Sequence, residues 1–300
     1  MIRYLLSLVF SFVFFSLLAQ PNHTKSSLRQ LQQQIEQLAT AAQGTVGVAA
    51  TLVETGESVS LHGDQPFPMQ SVYKMPIGMA TLHLVDQGKL SLEQKIRVST
   101  ADYISKRQHS PIREKYPNGT ELSLAELLRY AVSESDGSAS DVLMRVVGGP
   151  NVIMSYLKSL GIKDLIVLNT EREIGSDNAV QYKNWAKPAE AVALLRRLQE
   201  GRGLSKSSRA FLLRLMTETE TGLHRLKGQL PVGTVVAHKT GTSWTIDGVT
   251  AATNDIGLVT LPNGQHIAIA VFVSDAKADT DTREAVIANI SRAVWDYWAR

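Results

Sequence analysis

The chain has 300 residues, no cysteine, and 31 Lys and Arg against 28 Asp and Glu, a formal charge of +3. That near-balance, without a run of five or six like charges, gives no electrostatic reason to expect a nucleic-acid partner. The missing cysteines exclude disulfides and thiolate metal sites, and the seven histidines are scattered with no His-Glu-x-x-His or other close pair, so neither a metal nor another cofactor is expected.

Residues 1–19 carry a lone Arg3 and then an almost unbroken apolar run from Tyr4 to Ala19, the pattern of a secretory signal peptide ending at Leu17-Leu18-Ala19. A signal anchor is the rival, though the run is short for a bilayer span of about 20 residues. No Cys follows Ala19, which argues against a lipid anchor. A secreted, periplasmic monomer with no stable membrane association after cleavage is the expectation. From Ser27 to Ala42, Leu28, Leu31, Ile35 and Leu38 recur at helical spacing and predict an amphipathic helix. Two strand-like runs follow, Thr45 to Glu54 and Glu57 to His62, split by a Thr55-Gly56 turn.

The middle, about residues 67–216, reads as mostly helical. Ser123 and Glu126 form a capping box ahead of Leu124, Leu127, Leu128 and Val132, and Gly148-Gly149-Pro150 precedes a helix from Asn151 to Leu160. Asp164 to Trp185 is polar and irregular, and a loop of that length in a compact domain is usually functional or disordered. Strand-like runs return at Thr234 to Ala237, Gly248 to Leu261 and His266 to Ser274, the last two joined by a Pro262-Asn263-Gly264-Gln265 hairpin signal. A helix from about Asp281 to Trp298 closes the chain. Strands near both ends and almost none between them predict one sheet built from both ends of the sequence.

Three short strings carry the chemistry: Ser71-Val72-Tyr73-Lys74, Ser135-Asp136-Gly137 and Lys239-Thr240-Gly241. They supply a nucleophilic serine, a lysine one helical turn away, a second serine, and a second lysine before a small-residue turn. This is equipment for acyl transfer without a catalytic histidine. Each string alone is weak, since Ser-x-x-Lys arises by chance about once per few hundred residues. A second copy stands at Ser155-Tyr156-Leu157-Lys158, and a literal Ser-Asp-Asn at Ser176-Asp177-Asn178. Burial chooses between the lysines. Met75 to Val85 has only Thr81 and His83 as polar side chains, and a helix apolar nearly all round lies inside a domain. Lys74 must therefore be desolvated, paired, or both, and desolvation lowers a lysine pKa toward base strength. Ser155 and Lys158 share the polar face of their helix. The plain alternatives for the other strings are a helix-capping Ser-Asp turn at 135 and a strand end with a solvated lysine at 239; their order along the chain reverses those odds.

With these motifs in place, the sequence resembles the class A serine β-lactamases, relatives of the penicillin-binding proteins, over essentially all of the mature chain. Thr170-Glu171 stands where that family carries its Ω-loop glutamate, and Val180-Gln181-Tyr182-Lys183-Asn184-Trp185 resembles the loop's end in a subgroup with extended-spectrum members. The resemblance implies an α+β (mixed α/β) fold of the transpeptidase type, an antiparallel sheet flanked by the N- and C-terminal helices plus an all-helical domain. Residues 20–66 and 217–300 would form the sheet-bearing unit, 67–216 the helical one with an Ω-loop at about 164–185, and the active site their interface. A β-lactam is the implied substrate, with Ser71 as nucleophile, Lys74 and Glu171 as candidate bases, Glu171 driving deacylation through water, and Ser135 passing a proton to the lactam nitrogen. Lys239 would fix Ser135 and attract the substrate carboxylate, a task shared by Arg225, Thr240 and Thr242 beside Gly241, and His109 would stand at the cleft rim. The backbone amides of Ser71 and Thr242 would form the oxyanion hole.

The departures from the family pattern concern specificity and the loop. Gly137 replaces the asparagine of Ser-Asp-Asn, Gly175 stands where many members carry an asparagine that helps hold the deacylating water, and Asp141 replaces an asparagine that supports the Ω-loop, so an altered loop is expected. Glu173 competes with Glu171. A penicillin-binding D,D-peptidase and a non-hydrolytic β-lactam sensor share the three motifs and stay open as readings.

Overall fold

The computed structural model describes residues 27–299; the predicted signal peptide, residues 1–19, lies outside them. Helix α1 (Leu28–Ala39) opens with the capping box of Ser27 and Gln30 and ends at Ala39, where a 3₁₀ turn, Thr40–Ala42, replaces the last predicted turn. Then come β1 (Thr45–Leu52), β2 (Ser58–Leu61), β3 (Phe67–Pro68), a 3₁₀ turn at Gln70–Tyr73, and α2 (Lys74–Asp86). The helical middle holds β4 (Lys95–Val98), α3 (Pro111–Lys115), β5 (Thr120–Ser123), α4 (Leu124–Val132), α5 (Gly137–Val147), α6 (Pro150–Ser159), β6 (Leu165–Ile166), α7 (Glu171–Ile174), β7 (Trp185–Ala186), α8 (Pro188–Gln199) and α9 (Lys206–Thr217). The chain closes with β8 (Val236–Thr242), β9 (Thr245–Ile246), β10 (Val249–Thr250), β11 (Thr253–Thr260), β12 (His266–Ser274) and α10 (Thr280–Trp298).

One antiparallel sheet runs β2-β1-β12-β11-β8, so strands from both ends of the sequence pair as expected. The alternation of β12 explains the layering. Ile267, Ile269, Val271 and Val273 face α1 and α10, with Ile35, Ile287 and Val294, whereas Ala268, Ala270 and Phe272 join the core of the helical layer. Small alanines on that second face let α8 lie close against β1 and β12.

Three expectations change. The middle is not free of strands, because β4 pairs β5 and β7 bridges β3 and β6; these short ladders brace loops and build no second large sheet. The run from Gly248 to Leu261 is not one strand: Asp247 and Gly248, both left-handed at φ 50° and 77°, turn a β9–β10 hairpin before β11 begins. Finally, Lys239-Thr240-Gly241 lies inside β8 and does not follow its end. Polar residues there broke the apolar pattern, yet each is buried with a partner, His238 on Asp255, Lys239 on Ser135 and Thr240 on Thr221.

Candidate active site

Ser71 sits in the 3₁₀ turn that leads directly into α2, and the buried helix behind it holds Lys74 at 1 % exposure. Lys74 is both desolvated and paired: Nζ donates to Ser71 Oγ at 2.9 Å and to the Ser135 carbonyl at 2.7 Å, and lies 3.3 Å from Glu171 Oε2. The rival lysine, Lys158, is exposed, as is Ser155. Tyr73, inside the same motif, donates its hydroxyl to Glu171 Oε2 at 2.5 Å. Burial, then the carboxylates of Glu171 and Asp141, push the Tyr73 phenol well above its usual range, so it stays a donor.

Ser135 occupies the left-handed region at φ 59°, a conformation that costs a non-glycine residue energy and clusters at functional sites. Asp136 holds it there. This fully buried carboxylate caps α5 through Ala139 N and accepts from Ile112 N at 2.7 Å and from Ser110 Oγ at 3.2 Å. Across the cleft, fully buried Lys239 donates to Ser135 Oγ at 2.8 Å and to the Thr240 carbonyl at 3.0 Å. Burial, with Lys74 nearby, lowers the Lys239 pKa well below the ordinary lysine value.

Strand β8 passes the nucleophile closely because residue 241 is glycine: a Cβ there would come within 2.3 Å of the Met69 carbonyl and 3.2 Å of Ser71 N. Ser243 N pairs with Ala252 O, and antiparallel pairs alternate, so the main-chain groups of Thr242 turn away from β11, out of the sheet. Arg225 is not on the cavity wall. Its guanidinium is buried and held by Glu284, the Gly241 and Asn254 carbonyls and Thr242 Oγ1, so it acts on the cleft only through Thr242. Thr240 lines the cleft, bonded to Thr221, and exposed His109 stands at the rim with Nε2 on the Glu134 carbonyl.

Glu171 is the first residue of α7, whose cap, Thr170, forms a box with Glu173. The two acids thereby separate: Glu173 is spent on Thr170 and Asn169 at the surface, while Glu171 turns inward. Asp141 supports the loop from α5, accepting from Glu171 N at 2.6 Å and Arg172 N at 3.0 Å. Burial raises its pKa to about 6, opposed by those two amides. Buried Asn184 closes the loop's base on Leu168 N, Asn169 N and Asn169 O, and Gln181 accepts from Gln70, the left-handed residue before the nucleophile. The literal Ser176-Asp177-Asn178 starts a 3₁₀ turn on the cavity wall, with Asp177 capping Ala179 N, and stands apart from Ser135 and Lys239.

Ser71, Lys74, Ser135, Glu171, Thr240, Gly241 and Thr242 thus meet on one cavity of about 450 Å³. Sequence reasoning missed Tyr73, Gln70, Gln108, Trp244 and Ile246. Half-exposed Trp244 and Ile246 line the cavity from the β9–β10 hairpin, which the Asp247-Gly248 dipeptide, unread in the sequence, could have revealed. Gln108 had no local signal. Gly137 does not leave a void, since a Cβ there would meet Ile104 Cδ1 at 2.4 Å and Glu171 Cγ at 2.6 Å.

Known proteins resemble this chain over most of its length. The model of the "Beta-lactamase enzyme family" matches residues 30–298. "Beta-lactamase VEB-1" of Pseudomonas aeruginosa is 40 % identical over 296 residues, covering 98 % of this chain and 96 % of that protein. "Extended-spectrum beta-lactamase PER-1" of the same organism is 42 % identical over 269 residues, 89 % of this chain and 87 % of that one. A crystal structure of a β-lactamase from Chitinophaga pinensis superposes with a TM-score of 0.87 at 48 % identity, covering 89 % of this chain and 98 % of that chain.

Proposed function

The chain belongs to the β-lactamase enzyme family, class A, and from that premise we propose how its residues share the hydrolysis of a β-lactam. It opens the lactam through a serine acyl-enzyme and so confers resistance. In the proposed acylation, Ser71 Oγ attacks the lactam carbonyl, its proton leaving toward Lys74, which touches it directly, while Glu171 stands behind Lys74. The oxyanion would lie between the amides of Ser71 and Thr242, a reading supported by the outward turn of Thr242. A donor of that kind is worth about 3 to 4 kcal/mol in serine hydrolases. As the C–N bond breaks, Ser135, held by Lys239, would deliver a proton to the nitrogen and regain one from the proton that left Ser71.

Deacylation separates this reading from a D,D-peptidase or a sensor that stays acylated. Glu171 faces the cavity with only part of its carboxylate engaged, since Tyr73 and Lys74 both contact Oε2. It would take a proton from a water that attacks the ester, releasing Ser71 Oγ, which regains its proton. That carboxylate in the cleft is the observation that carries turnover. Thr240 and Thr242 would bind the substrate carboxylate, with Arg225 orienting Thr242 and His109 at the rim.

Kinship with extended-spectrum enzymes supports cephalosporins among the substrates. Residues 20–66 with 217–300, and 67–216, are read as the two units flanking the site, and a monomer exported to the periplasm by residues 1–19 fits the same reading. Among the described residues no helix is long and apolar enough to cross a membrane. The test is steady hydrolysis of a chromogenic cephalosporin, abolished in Ser71→Ala, and a mass spectrum of Glu171→Ala after exposure to substrate. A trapped covalent adduct is expected; rapid turnover by Glu171→Ala would remove Glu171 from its role.

A further inference from the structure

Gln108 touches Glu171 from a side that the reaction scheme above does not use. The residue is only 6 % exposed, yet it lines the catalytic cavity. Its Nε2 donates to the Glu171 carbonyl at 2.5 Å, and its Oε1, also buried, has no hydrogen-bond partner in the protein. A buried amide oxygen normally has one.

Two glycines make room for this arrangement. A Cβ on Gly175 would fall 2.3 Å from both Cδ and Oε1 of Gln108, so the carboxamide stands where a side chain at 175 would stand. Residue 175 follows Glu171 by four positions at the end of α7, which puts that space on the flank of the helix that carries the Glu171 side chain. Gly137 repeats the device, with Ile104 and the Glu171 stem pressed on its Cα. Ile104 and Gln108 belong to one loop, and the loop is pinned. Arg113 donates to the carbonyls of Ile104, Ser105 and Gln108, and Arg172, next to Glu171, donates to those of Ala101 and Tyr103.

We propose that Gln108 is a positioning residue for hydrolysis of the acyl-enzyme: Nε2 fixes the main chain at Glu171, and Oε1 accepts a hydrogen bond from the attacking water. The inference rests on Glu171 being the deacylating base. A water has two hydrogens. One goes to the Glu171 carboxylate as the base, and the other, held by Oε1, fixes the direction in which the oxygen lone pair points. The bond between water oxygen and acyl carbon forms, the ester bond to Ser71 breaks, and no group other than those named is needed.

Gln108→Met preserves the side chain's length and removes both hydrogen bonds. The expected result is a deacylation rate lower by about 10- to 100-fold, with kcat and KM falling together. A pre-steady-state burst and an acyl-enzyme mass should accompany that fall, while the acylation rate holds. Gly175→Ala, which forces the carboxamide aside, is expected to give the same signature in a chain that retains Gln108. The double variant should be no slower than Gln108→Met alone, because the carboxamide that Gly175→Ala displaces is already absent. Equal losses in acylation and deacylation, an unchanged deacylation rate, or additive effects of the two substitutions would each overturn the proposal. Glu171→Ala is run beside them. If it fails to trap the acyl-enzyme, the reading of Glu171 falls and this one with it; if it traps while Gln108→Met deacylates normally, only the role of Gln108 falls.

Discussion

The two sides of the cleft are held by different physics. On the α2 side, Ser71 and Lys74 are fixed by burial among Met75, Ile77, Met79 and Leu82, a helix with no wet face over its first nine residues. On the side running from Leu165 to Ala186, the fixing is largely polar: Asn184, Asp141, Gln108 and Arg172 tie side chain to main chain and Gln181 ties to the Gln70 side chain, with Leu165, Val167, Ile174 and Ala186 as the buried apolar anchors. A packed helix resists displacement as a block, whereas a laced loop depends on individual hydrogen bonds. In the proposed scheme the first half of the reaction therefore draws on the core, and the second half on a set of separable polar contacts.

The comparison breaks most severely at Lys74. Lys74→Met keeps the apolar packing and removes the group in contact with Ser71 Oγ, so acylation measured by stopped flow should fall about 10²- to 10⁴-fold, with no adduct accumulating and the fold retained in circular dichroism. Asn184→Ala tests the laced side. Three hydrogen bonds at the loop's base are lost, at roughly 1 kcal/mol each, and acyl-enzyme should build up while acylation persists. If both rates dropped alike, the two sides would not be separable.

Gly137→Asn sharpens the boundary between the sides. Overpacking against Ile104 and Glu171 should cost about 1 to 3 kcal/mol of stability and slow deacylation, measured by thermal melts and burst kinetics; improved turnover would show that the space exists after all. The smallest effect concerns Asp141. Its folded pKa, about 6, lies above the unfolded value of 3.8. Below both values the carboxyl is neutral in either state. Between them the unfolded chain ionises first, so stability falls as pH rises, and the loss is complete above about 6. Asp141→Asn should flatten that limb of Tm against pH by roughly 5 °C, and an unchanged slope would remove the buried carboxyl as its origin.

The difference between the sides also decided what could be read from the residues alone. The α2 motif was legible because full burial leaves an unbroken apolar run, whereas the two-faced pattern around Lys158 exposed it as a decoy. Glu171 was legible only through its resemblance to a family pattern, since nothing local distinguishes it from Glu173 until Thr170 and Asp141 take hold of them differently. Gln108 was beyond reach: its role depends on Gly137 and Gly175, far away in the chain, and on a loop pinned by Arg113 and Arg172. The motif at Lys239 was found, but its strand was cut short, because buried polar residues disguise a strand as a turn.

That strand, β8, is the last in the sheet's order. An outermost strand is ordinarily a hazard, a row of unpaired amides that recruits other chains. Here the strand packs against the 3₁₀ turn at Gln70–Tyr73 and α9, and its Thr240-Gly241-Thr242 end faces the cleft. The edge thus becomes part of a cavity wall, and β8 carries no proline and keeps its one lysine, Lys239, buried, where an exposed edge would need blocking charges.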